Sequence, residues 1–120
     1  MTLRVALVAA LLLLGVGFSA APAFAQDNYG AIALSDRTGN SGASWDYPNR
    51  FAAERSAMES CGARDCEVVI WFSNSCGALA QADDGASGWA SAYIRSAAEN
   101  QALRNCPSSC WISQTVCTTR

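Results

Sequence analysis

The hydrophobic and polar positions form two similar series between residues 29 and 118. In the first series, Tyr29–Leu34 and Ser41–Asp46 flank a stretch of turn-forming residues, which predicts two short strands joined by a turn. Pro48 and Asn49 then open a predicted helix, with Asn49 as its N-cap. Small apolar residues recur every four positions along this helix and predict its buried stripe. The stripe consists of Ala53, Ala57 and Cys61, with Met58 beside them.

Gly62 ends the predicted helix, and Cys66–Ser73 follows as a predicted strand. Side chains alternate along a strand, so we expect two faces. One carries Val68, Ile70 and Phe72, and the other carries Val69 and Trp71. The second series predicts strands at Gly77–Gln81 and Trp89–Ala92, a helix at Ile94–Asn105 and a strand at Cys110–Cys117. Its core stripe is Ala98, Ala102 and Cys106 with Leu103.

The two series are read as divergent copies of one ββαβ unit, at residues 29–73 and 76–118. Matching positions include Arg50 with Arg95, Glu54 with Glu99 and Cys61 with Cys106. Six strands and two helices predict the α+β class. The expected arrangement is one antiparallel sheet with both helices on one face, their small-residue stripes packed together, and disulfides as staples.

The N-terminal segment has the features of a secretory signal peptide. Arg4 precedes the apolar run Val5–Val16, and Ala23 and Ala25 form an A-x-A cleavage pattern. We expect cleavage after Ala25, which leaves residues 26–120 as one domain that is secreted or held in the periplasm or cell envelope. A retained membrane anchor is the alternative, because no charged residue lies between Val5 and Ala25. A spanning helix needs about 20 predominantly apolar residues, however, and the strongly apolar run here is shorter.

Six cysteines in an exported chain of this length favour disulfides. The matching positions of the repeats select Cys61–Cys66 and Cys106–Cys110, which leaves Cys76–Cys117 as the third bond. A zinc site is disfavoured because the chain has no histidine and no C-x2-C pair. The absence of C-x-x-C also disfavours a redox centre. We therefore predict neither a metal nor a cofactor.

The charge pattern narrows the function further. All eight basic residues are arginines, and without Arg4 seven remain against ten acidic residues, a net charge of −3. Nucleic acid is therefore a poor candidate partner, and stable membrane insertion after cleavage is not expected. Without histidine, a Ser-His-Asp triad is impossible within the chain. A pair of carboxylates, as in glycosidases, is the enzymatic alternative, and Glu54 and Glu99 are the pair related by the repeat.

Several motifs together resemble a family of small exported bacterial proteins, domain of unknown function 4189 (DUF4189). They are Tyr-Gly-Ala-Ile-Ala, Trp-Asp-Tyr-Pro-Asn-Arg, Cys-Glu-Val-Val-Ile-Trp-Phe, Asn-Ser-Cys-Gly-Ala-Leu-Ala and a closing Val-Cys-Thr. The resemblance covers residues 29–118 and implies an exported domain that contains cysteines, without an established activity. One departure is Tyr93-Ile94, where a Ser or Thr cap is expected before the second helix.

The aromatic residues exceed what a thin core can bury, which predicts a binding surface for an envelope glycan or a protein partner. Its candidate residues are Trp45, Tyr47, Arg50, Trp71, Trp89, Tyr93 and Arg95. The first hypothesis is a non-enzymatic exported binding module, envelope-associated or inhibitory. The alternatives are a small hydrolase of cell-wall polymer and a stable appendage without a ligand. The oligomeric state stays open.

Overall fold

The computed structural model describes residues 27–119. The predicted signal peptide, residues 1–25, and the alternative anchor lie outside the described residues. The elements in chain order are β1 (Tyr29–Leu34), β2 (Ser41–Tyr47), α1 (Arg50–Cys61), β3 (Glu67–Ser73), β4 (Cys76–Gln81), β5 (Ser87–Ala92), α2 (Arg95–Asn105) and β6 (Trp111–Cys117). The α+β class and every predicted element are confirmed, with boundaries shifted by one or two residues. The two halves share one order of elements, which fits the two predicted repeats.

The six strands form two antiparallel sheets of three strands each, in the orders β2-β1-β3 and β5-β4-β6. This differs from the single sheet expected from the sequence. The two sheets pack against each other, and each carries its own helix on its outer face. The helix stripes therefore do not meet: Ala53 and Ala57 pack on the first sheet, and Ala98 and Ala102 on the second.

The alternation of small and large residues along the central strands explains the layers. In β1, Ala31 and Ala33 pack under α1, while Ile32 and Leu34 point into the space between the sheets. In β4, Leu79 is the corresponding residue between the sheets. The side chain of Phe72 completes this central core and is 3% exposed. Both faces of β1 and β4 are thus buried. In a single sheet with both helices on one face, the other face would be open to solvent.

Each helix lies unusually close to its sheet at one glycine. A Cβ atom at Gly42 would overlap the backbone of Ala57 and Cys61, and Gly88 stands in the same relation to α2. At its start α1 is capped by Asn49, whose side chain accepts a hydrogen bond from Ala52 N at 2.8 Å, as predicted. The N-cap of α2 is Ile94, which makes no side-chain cap bond.

Two predictions about side-chain direction are wrong. The pairing of β3 with β1 shifts register between Ile70 and Val68, so Val69 is bulged and the alternation breaks there. Val68 consequently packs with the α1 cluster, while Val69 and Ile70 join the core between the sheets. Met58, expected beside the core stripe, is 38% exposed because it lies on the outer flank of α1.

Three disulfides join the cysteine pairs expected from the sequence, namely Cys61–Cys66, Cys76–Cys117 and Cys106–Cys110. The two short bonds tie each helix end to the start of the following strand. The third links β4 directly to its neighbour β6, where the two residues face each other. In the chain-entropy account the short loops contribute about 2 kcal/mol each and the long loop about 4 kcal/mol.

Candidate functional site

Three aromatic side chains form a row across the first sheet, on the face that carries α1. Tyr29 on β1 pairs with Tyr47 on β2, and its ring centroid lies 6.2 Å from that of Trp71 on β3. Tyr29 and Tyr47 pack against the cluster beneath α1. Trp71, at the edge of the sheet, is 40% exposed. We call these three residues the aromatic row. Trp71 was expected on the same strand face as Val69, and the bulge at Val69 separates the two by turning Val69 into the core between the sheets.

Arg50, the first residue of α1, covers the exposed end of the aromatic row. Its guanidinium carbon lies 4.5 Å from the centroid of the Trp71 ring, and its Nε donates to Glu54 Oε2 at 2.9 Å. A partly exposed cation–π contact stabilises a fold by about 0.5–1 kcal/mol, and a surface ion pair by about 0–1 kcal/mol. These contacts orient the guanidinium over the ring more than they stabilise the fold.

The second half lacks the aromatic row. Strand pairing places Cys76, Ala92 and Thr115 at the positions of Tyr29, Tyr47 and Trp71. Thr115 Oγ1 donates to Glu99 Oε2 at 2.7 Å, and Arg95 lies 3.9 Å from the same oxygen. The matching positions of the second half therefore carry no aromatic ring, although its scaffold is the same.

The remaining predicted residues lie apart from the row. Trp45 is 52% exposed on a bulge of β2, where Asp46 adopts a positive φ of 62° and its carboxylate binds the N–H of Thr119. Trp89, on the edge strand β5, lines a surface cavity together with residues of β3. Tyr93 is 65% exposed in the turn before α2. The seven predicted residues thus do not form one site.

Sequence reasoning gave no role to Trp111, which borders the concave cleft between the two hairpin turns. The turn after β1 and the turn after β4 enclose a cavity of about 380 Å³ at one end of the sandwich. Trp111, the first residue of β6, is 48% exposed at its margin. One sequence feature could have indicated this position. Trp111 directly follows Cys110 at the start of β6, and the start of β6 pairs with the end of β4, where the second turn begins.

Two carboxylates are held by hydrogen bonds that stabilise their charged form. The hydrogen bond from Ser35 Oγ, at 2.6 Å, lowers the pKa of Asp65, and contacts with Arg37 lower it further. The hydrogen bond from Ser108 Oγ, also at 2.6 Å, lowers the pKa of Asp84. A general acid requires the opposite shift, so neither residue is suited to that role.

The two carboxylates that the predicted repeat relates do not face each other. Glu54 bonds to Arg50 on one helix and Glu99 accepts from Thr115 beside the other, and these helices lie on opposite outer faces of the sandwich. Within residues 27–119 there is no cluster of three or more cysteine or acidic side chains that could hold a metal ion. Over the same residues, neither helix is long and apolar enough to cross a membrane.

Comparison with known proteins gives a family and a fold. The model of a family described as "Domain of unknown function (DUF4189)" matches residues 29–117. Protein Rv1269c of Mycobacterium tuberculosis is 54% identical over 59 residues, which are 49% of this chain and 46% of that protein. Protein Rv1813c of the same organism is 43% identical over 53 residues, 44% of this chain and 36% of that one. This chain thus matches less than half the length of both relatives.

The NMR structure of Rv1813c superposes with a TM-score of 0.61 at 27% identity. The match covers 92% of this chain and 97% of that one. The arrangement of two sheets and two helices is therefore shared with a solved structure.

Proposed function

The chain belongs to the DUF4189 family, and we propose that it is an exported, non-enzymatic binding module that contacts a protein partner through the aromatic row. The observation that carries this proposal is the difference between the halves. Three positions that the second half fills with Cys76, Ala92 and Thr115 hold aromatic rings in the first. The second half forms the same elements without these rings, and Trp71 is the ring of the row that reaches the surface, 40% exposed, which supports a role for it in binding.

The surroundings of the row fit a protein interface. Aromatic and arginine side chains contribute most of the binding energy at such interfaces. Phe51, in the first turn of α1, is 70% exposed, and Met58 lies on the same exposed flank two turns later. Together with Trp71 and Arg50 they offer apolar area beside a charged side chain.

Rigidity supports the same role. A site whose backbone is fixed before binding loses less conformational entropy when a partner docks. Here the Cys61–Cys66 bond fixes the end of α1, and Asn49 caps its start. Arg50 and Trp71 are consequently held on ordered elements rather than on loops. Export itself is supported by the disulfides, which persist in oxidising compartments.

The experiment is capture on the immobilised, oxidised domain from envelope and culture-filtrate fractions of the source bacterium. The wild type, Trp71→Ala and Thr115→Ala are compared side by side. Thr115→Ala is the matched control because it changes the equivalent position of the other half. We expect one specific partner that is lost with Trp71→Ala and retained with Thr115→Ala. A partner bound equally by all three proteins, or no partner, would overturn the proposal.

A further inference from the structure

The cleft between the hairpin turns lies at the opposite end of β1 from the aromatic row. Each turn is closed by its own backbone hydrogen bonds, Gly39 N to Ser35 O at 2.8 Å in the first and Gly85 N to Ala82 O at 3.1 Å in the second. Gln81 Nε2 also donates to Gly39 O at 3.0 Å and joins the two turns. The cleft is therefore formed before any ligand arrives.

The acidic side chains in and near the two turns divide into two groups. Asp65 and Asp84, which do not line the cavity, are occupied by hydrogen bonds from serine hydroxyls. Asp36 and Asp83, by contrast, line the cavity and make no side-chain hydrogen bond or ion pair with residues 27–119. Arg37 also lines it, with its side chain 69% exposed and only a 3.9 Å contact to Asp65. Acceptors and donors thus remain available beside the cavity.

Trp111 adds a flat apolar surface to these polar groups. It stands opposite Gln81 in the strand pairing, at the mouth of the cavity. An indole ring offers a face for C–H groups, and its N–H is an additional donor. A ligand that suits this cleft therefore needs an apolar face and several hydroxyl groups at its edge.

We propose that this cleft binds an uncharged saccharide. A sugar ring stacks its C–H face on Trp111, while neighbouring hydroxyls donate to Asp36 and Asp83 and accept from Arg37. Two free carboxylates against one arginine disfavour phosphates and uronic acids. A wholly apolar ligand would leave the carboxylates desolvated without partners. The volume, about 380 Å³, lies at the lower end of small-ligand pockets and suits about one or two sugar rings.

This site is independent of the aromatic row, so each proposal can fail alone. The test is an NMR titration of the full oxidised domain, observing the backbone and indole N–H signals. The probes are the uncharged trisaccharides maltotriose, cellotriose and N,N′,N″-triacetylchitotriose, with trigalacturonate as the charged comparison. We expect a dissociation constant of about 1 mM for the cleft, so each probe is added to about 10 mM, tenfold above it.

We expect one uncharged trisaccharide to shift the Trp111 indole signal and the amides of both turns in a saturable way. Trp111→Ala and Asp83→Asn should each weaken binding at least tenfold. Trp111→Phe should retain most of it, because a ring remains for stacking. Trp71→Ala should leave it unchanged. No saturable shift at the cleft, binding unaffected by Trp111→Ala, or tighter binding of trigalacturonate would each overturn the proposal.

Discussion

Replacing Gly88 by alanine puts a methyl group where the backbone of α2 already lies. The new Cβ atom would stand 2.5 Å from Cys106 N and 2.6 Å from Ala102 O. Ordinary contact begins near 3.5 Å, so α2 must retreat by about 1 Å. The helix cannot slide freely at this point, because the Cys106–Cys110 bond ties its end to β6.

The size of the effect follows from two opposing contributions. Overpacking of this kind costs about 1–3 kcal/mol, and here the obstacle is backbone rather than a flexible side chain, which favours the upper value. Removing a glycine from a strand returns about 0.5–1 kcal/mol of conformational entropy. We therefore expect a net loss of about 2 kcal/mol, which lowers the Tm by about 8–16 °C in a domain of this size.

The assay is urea unfolding of the oxidised protein, followed by circular dichroism and checked against thermal melting. Gly85→Ala is the control, since no atom lies within 4 Å of its Cβ position and only its φ of +91° opposes the change. We expect the control to lose about 1 kcal/mol from backbone strain alone. Gly42→Ala should behave like Gly88→Ala. If both lose no more than the control, the close approach of helix and strand is refuted.

Three further predictions concern the core, the charges and the disulfides. Phe72→Ala should destabilise the fold by about 3–5 kcal/mol, because its buried ring fills the space above Gly30 and Gly77. The exposed-ring control, Phe51→Ala, should change stability by under about 0.5 kcal/mol. Equal urea midpoints for the two variants would contradict the packing between the sheets. Asp65 has a lowered pKa when folded, so its contribution is present above the unfolded value of about 3.9 and is lost as the pH falls through the folded value. The stability gap between wild type and Asp65→Asn should therefore narrow on acidification and stay constant between pH 5 and 7, while a gap independent of pH down to about pH 2 would contradict the hydrogen bond from Ser35. Replacing Cys76 and Cys117 together by serine should cost about 4 kcal/mol, against about 2 kcal/mol for the pair Cys106 and Cys110, because the loops span 41 and 4 residues; any free thiol in the denatured, unreduced wild type would contradict the pairing.

Local features were the most predictable from the sequence. The cap at Asn49 and the end of α1 at Gly62, which has a positive φ of 74°, depend on neighbouring residues only. The cysteine pairs followed from the matching of the halves. Boundaries of strands shifted by one or two residues, because the ends of a strand are set by its partner.

The division into two sheets had a sequence signal that the prediction did not use. Strand β1 alternates alanine with larger apolar residues. Both of its faces are therefore apolar, one lined by small side chains and the other by larger ones. Ala31 and Ala33 permit the close approach of a helix, and Ile32 and Leu34 fill the wider gap between sheets. A strand apolar on both faces indicates coverage on both sides.

The bulges at Val69 and Trp45 could not be predicted in the same way. Each adds one residue to a strand and so reverses the faces beyond it, and nothing in the local composition marks the position. The site depends on these bulges, since Trp71 reaches Arg50 because the register shifts at Val69. The candidate residues were therefore identified more reliably by type than by the face on which they lie.

Comparison of the halves within one chain separates residues that the fold requires from residues that it does not. Each half needs a helix close to its sheet, and the residues that provide this match between the halves: Gly42 with Gly88, Ala57 with Ala102, and Cys61 with Cys106.

Two aromatic positions differ between the halves. Trp71 of β3 corresponds to Thr115 of β6, and Trp111, the first residue of β6, corresponds to Glu67, the first residue of β3. Where one half has a large aromatic side chain and the other half has a polar residue, the shared fold forms without the ring. At such positions we expect substitutions to change binding more than they change the free energy of unfolding. Trp71→Thr and Trp111→Glu, which give each position the side chain of the other half, test this directly: each should lose no more than about 2 kcal/mol of stability, and a loss of about 3–5 kcal/mol, as expected for a core ring, would assign the ring to the scaffold instead.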